Sequence, residues 1–307
     1  MKKINQMKYS FIPIDSCNLC GAKETQFKVL GKRLNKPLGF RPKNKTGITT
    51  TIVKCKNCGL IFSNPLPIPE DLQDHYAVSS EEYYKNHDFL VDEANYNCLL
   101  AWLKRLMDLK SGIKVLDVGV GIDKFIFSLE KEGLDVYGLE PSESFFREAN
   151  ETIKERKSKV QLKQASVENA DFPENFFDFI SFGAVLEHLY DPSENIVKAL
   201  KWLKPKGIIY IEVPSSDWLI NKIINFAYRI RGLDYVGNLS PMHMPYHLYE
   251  FTLKSFQKHA KQYNYEIADY GYFTCQTFMP KIFDTFLIPY MNLTKTGMQL
   301  AVWLKKK

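Results

Sequence analysis

From residue 113 onward, short apolar runs alternate with longer amphipathic ones, and this alternation constrains the fold more than any other feature. Ile113 to Val118, Asp135 to Leu139, Val160 to Lys163, Phe177 to Phe182 and Gly207 to Val213 read as buried strands. Segments near Lys124 to Glu132, from about Ser142 to Lys157 and after Asp191 carry apolar residues at helical spacing. In Asp191-Pro192-Ser193-Glu194, Asp191 can cap a helix, Pro192 suits its first position and Glu194 can close a capping box. Thr252 caps a further helix to about Tyr263, and Tyr265 to Tyr272 and Met298 to Leu304 are late strands. Repeated βα units predict an α/β fold, a parallel sheet with helices on both faces.

The length of 307 residues leaves room for that sheet and a small appendage. Hydrophobic residues at 45% and charged residues at 25% exclude disordered and collagen-like chains. The formal charge of +6 is spread along the chain, which permits an anionic ligand without marking a nucleic-acid binder. No run reaches the roughly 18 uncharged apolar residues of a membrane helix. The apolar stretch from Leu219 to Leu233 is broken by Lys222, Arg229 and Arg231. Behind Lys2 and Lys3 there is no apolar core of a secretory signal, so a cytoplasmic protein with reduced cysteines is expected.

Four of the six cysteines then need another explanation. They form two pairs, Cys17-Asn18-Leu19-Cys20 and Cys55-Lys56-Asn57-Cys58, each followed by a glycine, Gly21 and Gly59. Cys-x-x-Cys-Gly is a knuckle that turns backbone amides toward thiolates. Two knuckles make the closed tetrahedral shell of a structural zinc, leaving no open position for water. A redox pair would occur once, at a strand-to-helix turn. Cys98 and Cys275 stand alone and read as small buried hydrophobes.

These features divide the chain into a zinc-binding module over 1–70, linker and packing helices over 71–110, and an α/β domain over 111–307. Ser63 to Pro69 holds three prolines in five residues and reads as the module's exit. Tyr76 to Asn86 could line a substrate entrance, and Leu99 to Met107 reads as a packing helix. Insertions are expected at about 215–246, as a lid carrying Arg229 and Arg231 or a helix packed on the sheet, and at about 273–296, as a homodimer surface or a pocket wall.

The first βα turn, Asp117-Val118-Gly119-Val120-Gly121, lacks the third glycine of a dinucleotide fingerprint, since Lys124 stands there. A carboxylate, Asp117, sits where a pyrophosphate would be repelled and a ligand ammonium attracted. Glu140 ends the second strand 19 residues after Gly121, where an acid can accept both hydroxyls of a ribose. An ammonium at one end and a ribose at the other describe S-adenosylmethionine.

Leu116-Asp117-Val118-Gly119-Val120-Gly121, Gly138-Leu139-Glu140-Pro141, Phe177-Asp178-Phe179-Ile180 with Leu186-Glu187-His188-Leu189, and Leu203-Lys204-Pro205-Lys206-Gly207 resemble successive motifs of class I S-adenosylmethionine-dependent methyltransferases. The resemblance covers residues 111 to about 272 and the last strand. The knuckles with Gly59 to Pro65 are similar to a subfamily with an N-terminal zinc-binding domain, whose members act on sugars, nucleotide-sugars and other small metabolites. It implies a Rossmann-like sheet of seven strands with the last antiparallel. It also implies a cofactor site of Asp117, Gly119, Gly121, Glu140, Ser166, Val167 and Gly183, with metal ligands Cys17, Cys20, Cys55 and Cys58. Two departures stand out: Asp123 replaces a usual glycine, and Ser166-Val167 replace an acid that holds adenine.

For transfer to a hydroxyl a base is needed, and histidine suits pH 7. His247-Leu248-Tyr249-Glu250-Phe251-Thr252 resembles the family's His-Leu-x-x-Phe-Ser/Thr segment, where sugar methyltransferases place that base; His243 is the nearby alternative. His188 either takes part in the chemistry or orders its loop. His75, His87 and His259 carry no motif. The expectation is O-methylation of a sugar or nucleotide-sugar in carbohydrate biosynthesis. The rivals are an RNA methyltransferase and a non-catalytic binding protein of the same fold.

Overall fold

The structure, a computed structural model, describes residues 9–33, 48–71, 93–122, 125–239, 246–274, 277 and 279–307, with side chains of the first helix from residue 96. Asp123, His75, His87, His243 and Cys275 lie outside the described residues. Strands β1 (Tyr9–Ile12), β2 (Phe27–Arg33), β3 (Thr51–Cys55), β4 (Ile61–Asn64) and β5 (Leu66–Pro69) are followed by helix α1 (Glu93–Leu106). There follow β6 (Lys114–Val118), α2 (Phe125–Lys131), β7 (Asp135–Leu139), α3 (Glu143–Glu155), β8 (Gln161–Lys163), β9 (Phe177–Gly183), α4 (Pro192–Trp202) and β10 (Leu203–Pro214). The chain continues through α5 (Leu219–Ile230), β11 (Tyr235–Val236), β12 (Tyr249–Glu250), α6 (Leu253–Ala260), β13 (Tyr265–Phe273), α7 (Lys281–Thr294) and β14 (Gln299–Lys306).

The main sheet has seven strands in the order β13-β14-β10-β9-β6-β7-β8. β14 runs antiparallel to both β10 and β13, and the pairs from β10 to β8 are parallel. This is the expected α/β sheet with one reversed strand. Its strands are apolar on both faces, as burial between two helix layers demands, with Leu116, Val118, Phe179, Ile180, Ile209 and Ile211 buried. α4 begins as expected, with Pro192 in the first turn and the Asp191 side chain accepting from the Glu194 amide. α1 packs through Trp102, whose indole N–H donates to Asp269 at 2.6 Å and whose ring fills the space beside Gly271.

A second sheet, in the order β11-β2-β3-β4-β12, joins three N-terminal strands to two short strands from beyond residue 230. β11 pairs parallel with β2, and β12 antiparallel with β4. Among the described residues β5, the proline-rich exit, pairs with β1 alone in a two-stranded ribbon. Contrary to expectation, Cys98 is exposed: it lies on the outer side of α1, and the helix buries Leu100 and Leu103 instead. Among the described residues no helix is long and apolar enough to cross a membrane.

Candidate active site and cysteine cluster

The glycine turn after β6 is built by its own backbone. Gly119 and Gly121 hold φ of +76° and +58°, where a side chain strains, and a Cβ on Gly119 would meet Val185 at 2.5 Å. The Gly119 and Val120 amides both donate to the Leu139 carbonyl, at 2.8 and 3.0 Å, tying the turn to the end of β7. The Glu140 carboxylate accepts from the Gly121 amide at 2.7 Å and the Ser142 amide at 2.8 Å. The two acids expected from their positions therefore stand together at the carboxyl ends of β6 and β7. Asp117 is buried and accepts from the Ser181 hydroxyl at 2.6 Å. Burial pushes both carboxyls up to about 7, with the Glu140 charge adding at Asp117, while the hydrogen bonds oppose the shift. Ser166 and Val167 lie in the turn after β8, where the Ser166 carbonyl accepts from the Asn169 and Ala170 amides; Val167 is buried. Gly183 ends β9, and nothing lies within 4 Å of where its Cβ would be.

Beyond Gly183 a short turn carries Glu187 and His188, and the segment before β12 carries His247. Tertiary packing brings all three together, with ligand atoms within 4.8 Å of one another. The His188 and His247 rings are 4.9 Å apart, and His247 Nε2 is 3.9 Å from Glu187 Oε1. His188 Nδ1 is 3.0 Å from the Tyr246 carbonyl, so it carries the proton. The Leu248 amide donates to the Glu187 carbonyl at 2.8 Å and locks the two segments in register. Burial holds His188 down to about 4, and it lifts Glu187 up to about 8 with Glu212 adding repulsion. Both groups are thus neutral near pH 7. His259, by contrast, is a core residue bonded to Ser193 at 2.9 Å and Tyr265 at 2.8 Å.

The fully buried Arg33, the last residue of β2, stacks with its Cζ 5.1 Å from the Tyr246 ring centroid. Nothing in the sequence singled it out, because a lone basic residue ending a strand carries no motif. Arg229 and Arg231 of the expected lid are exposed.

The four knuckle sulfurs also converge within 4.8 Å, with Cys17–Cys58 at 3.5 Å and Cys20–Cys55 at 3.6 Å. A tetrahedron of sulfurs about 2.3 Å from a zinc has edges of about 3.8 Å, so the donor set fits. Gly21 and Gly59, at φ of +68° and +87°, donate to the Cys17 and Cys55 carbonyls at 2.8 Å. Hydrogen bonds from Cys17 and Cys58 draw Cys55 toward thiolate. Asn18 accepts from the Ser193 amide and donates to Asp191, while Thr252 donates to the Cys58 carbonyl. The knuckles thereby dock on the N-terminal ends of α4 and α6.

A family profile described as a methyltransferase domain matches residues 91–270. The chain belongs to this methyltransferase family. It is 33% identical over 123 residues to phosphoethanolamine N-methyltransferase 3 of Arabidopsis thaliana, covering 38% of this chain and 25% of that protein. It is 27% identical over 132 residues to a ubiquinone biosynthesis O-methyltransferase of Bradyrhizobium diazoefficiens, covering 43% and 50%. The methyltransferase thus spans half or less of the length of these two relatives. In fold it is similar to Haemonchus contortus phosphoethanolamine N-methyltransferase 2, solved with phosphomonomethylethanolamine and S-adenosylhomocysteine. That likeness has a TM-score of 0.54 at 18% identity, over 80% of this chain and 62% of the other.

Proposed function

We propose that this methyltransferase transfers a methyl group from S-adenosylmethionine to a hydroxyl of a sugar or nucleotide-sugar, with a structural zinc held by Cys17, Cys20, Cys55 and Cys58. The observation that carries the reading is the division of labour along one sheet edge: Asp117 and Glu140 at β6 and β7, and Glu187, His188 and His247 beyond β9.

When bound, the cofactor supplies a methyl group on a cationic sulfur. Asp117 attracts its ammonium, Glu140 accepts from its ribose, Ser166 and Val167 border the adenine, and Gly119, Gly121 and Gly183 let it approach the backbone. His247 removes the acceptor proton as the new bond forms, a contribution of about 10²–10⁴-fold. The imidazolium so formed sits 3.9 Å from Glu187 and passes the acceptor's proton on to water, which returns His247 to its neutral form. His188, neutral and fixed in one tautomer by Tyr246, offers Nε2 as an acceptor that orients the substrate hydroxyl. Alignment of acceptor, methyl and sulfur supplies the larger share, up to roughly 7–11 kcal/mol.

The zinc module over 1–70 and the catalytic domain over 111–307 work as one unit in this reading, since β11 and β12 complete the module's sheet. Four reduced thiolates suit a cytoplasmic setting. The exposed Phe226 and Ile230 of α5 and Ile282, Phe286 and Leu293 of α7, 65–82% accessible, support self-association as a homodimer, which sedimentation would reveal. The test of the activity is calorimetry with S-adenosylmethionine and S-adenosylhomocysteine, followed by transfer of labelled methyl to a panel of nucleotide-sugars. Binding of neither cofactor form would end the methyltransferase reading. Transfer only to amines would end the hydroxyl assignment.

A further inference from the structure

Charge is unevenly settled in the wall shared by the N-terminal module and the catalytic domain. The Arg33 side chain is fully buried. Its Nη2 donates to the Leu239 carbonyl at 3.0 Å, while Nε and Nη1 have no hydrogen-bond partner. Among the described residues no carboxylate oxygen lies within 4.0 Å of it. Glu250, whose charge it feels, accepts instead from Asn238 and from the Leu239 amide, both at 2.6 Å. Burial lowers the guanidinium only to about 10, so it stays charged at neutral pH.

A buried cation with two idle donors is a costly arrangement unless an anion completes it. A guanidinium is the side chain best shaped to hold a phosphate or carboxylate by paired hydrogen bonds. Its neighbours say which ligand that would be. The Tyr246 ring lies beside Arg33, and the Tyr246 carbonyl accepts from His188, whose ring meets His247. Arg33 is therefore one residue removed from the reacting cluster, and its charge contributes to keeping His188 neutral. Asp117 and Glu140, at the cofactor end, are acids and suit a cationic ligand. The only cation buried near the reacting cluster, among the described residues, comes from the other domain.

We propose that Arg33 binds an oxyanion of the methyl acceptor, a phosphate or carboxylate, and so makes the N-terminal module part of the acceptor site. This rests on the reading that the Glu187–His188–His247 end receives the acceptor. It gives the cysteine cluster a purpose beyond stability: β2 and β3 leave the knuckles in register, Phe27 opposite Cys55, and β2 ends at Arg33.

The experiment is titration of the protein, with and without S-adenosylhomocysteine, with inorganic phosphate and separately with acetate. Ionic strength is held constant with chloride, and binding is followed by ligand line broadening in NMR. Saturable millimolar binding of at least one anion is expected, with affinity tenfold or more weaker in Arg33→Met. S-adenosylhomocysteine affinity should stay within about twofold. The stronger anion distinguishes a phosphorylated from a carboxylated acceptor. Should Arg33→Met fail to fold, Arg33→Lys decides: it keeps the charge but not the paired donors, and should bind the anion at least about threefold more weakly than wild type. Wild type binding neither anion, or equal binding by Arg33→Met or by Arg33→Lys, would overturn the proposal. Failure of S-adenosylhomocysteine to bind would instead strike the methyltransferase reading, since the anion titration stands without it.

Discussion

The methyltransferase assembles two polar clusters in opposite ways. The cysteine cluster is two copies of one local device: a glycine in the left-handed region bonds back to the first cysteine's carbonyl, and only the meeting of two knuckles is long-range. The Glu187–His188–His247 cluster has no local device. Glu187 and His188 follow β9, His247 precedes β12, and Arg33 ends a strand of the other sheet. The difference teaches where each cluster is vulnerable. Damage to the first should cost folding, and damage to the second should cost chemistry while the fold survives.

The largest effect expected is that of Cys55→Ser. Zinc-finger peptides gain about 10–16 kcal/mol from their metal, so loss of one ligand should release it and unfold the knuckles. Metal analysis should fall from one zinc per chain to well under half, with the thermal transition lowered or split. A variant that keeps its melting temperature would break the comparison, because the cluster would then be dispensable to the fold.

Next is His247→Ala, which should lower turnover by roughly 10²-fold or more while cofactor affinity and melting temperature barely move. Steady-state rates beside calorimetry would show it. A raised KM with kcat intact would mean that His247 positions the acceptor and takes no proton.

Glu140→Ala should weaken S-adenosylmethionine and S-adenosylhomocysteine equally, since both carry the ribose. Charge-assisted hydrogen bonds are worth about 1.5–3 kcal/mol each, so a ten- to hundredfold rise in Kd is expected. Unequal loss would place Glu140 near the sulfur.

The smallest effect is a pH dependence with opposed signs. Asp117 and Glu140 have folded pKa values raised to about 7 from ordinary values of 3.8 and 4.5, chiefly by burial. The folded protein holds these protons more tightly than the unfolded chain. Their contribution to stability is therefore full below about pH 4 and declines as pH rises through about 7. If the cofactor binds the ionised forms, its affinity should strengthen over pH 6 to 8 by up to roughly tenfold for each acid that must ionise. Thermal melts and calorimetry across that range would reveal both slopes, and parallel slopes would mean that neither acid meets the cofactor.

In the seven-stranded sheet and the helices after its strands, placement was legible because each element's pattern is short-range; the short strands of the second sheet carried no such pattern. Asp135–Leu139 matches the sequence reading to the residue, and other boundaries shift by a few residues, β10 starting earliest at Leu203. The acids at the ends of β6 and β7 were legible too, since strand order and the glycine turn place them on one edge. The exposure of Cys98 was not, because α1 alone does not say which of its faces meets the sheet.

By itself the sequence determined the local pieces: the knuckles through their glycines, the turn through Gly119 and Gly121, and the βα units through apolar spacing. Only the tertiary structure decided that β11 and β12 would complete the module's sheet, and that Arg33, His188 and His247 would lie along one wall. Local conformation follows from backbone sterics and side-chain spacing a few residues apart. Meetings between residues more than two hundred positions apart, such as Arg33 and Leu239, depend on how whole sheets pack, which no short window of sequence encodes.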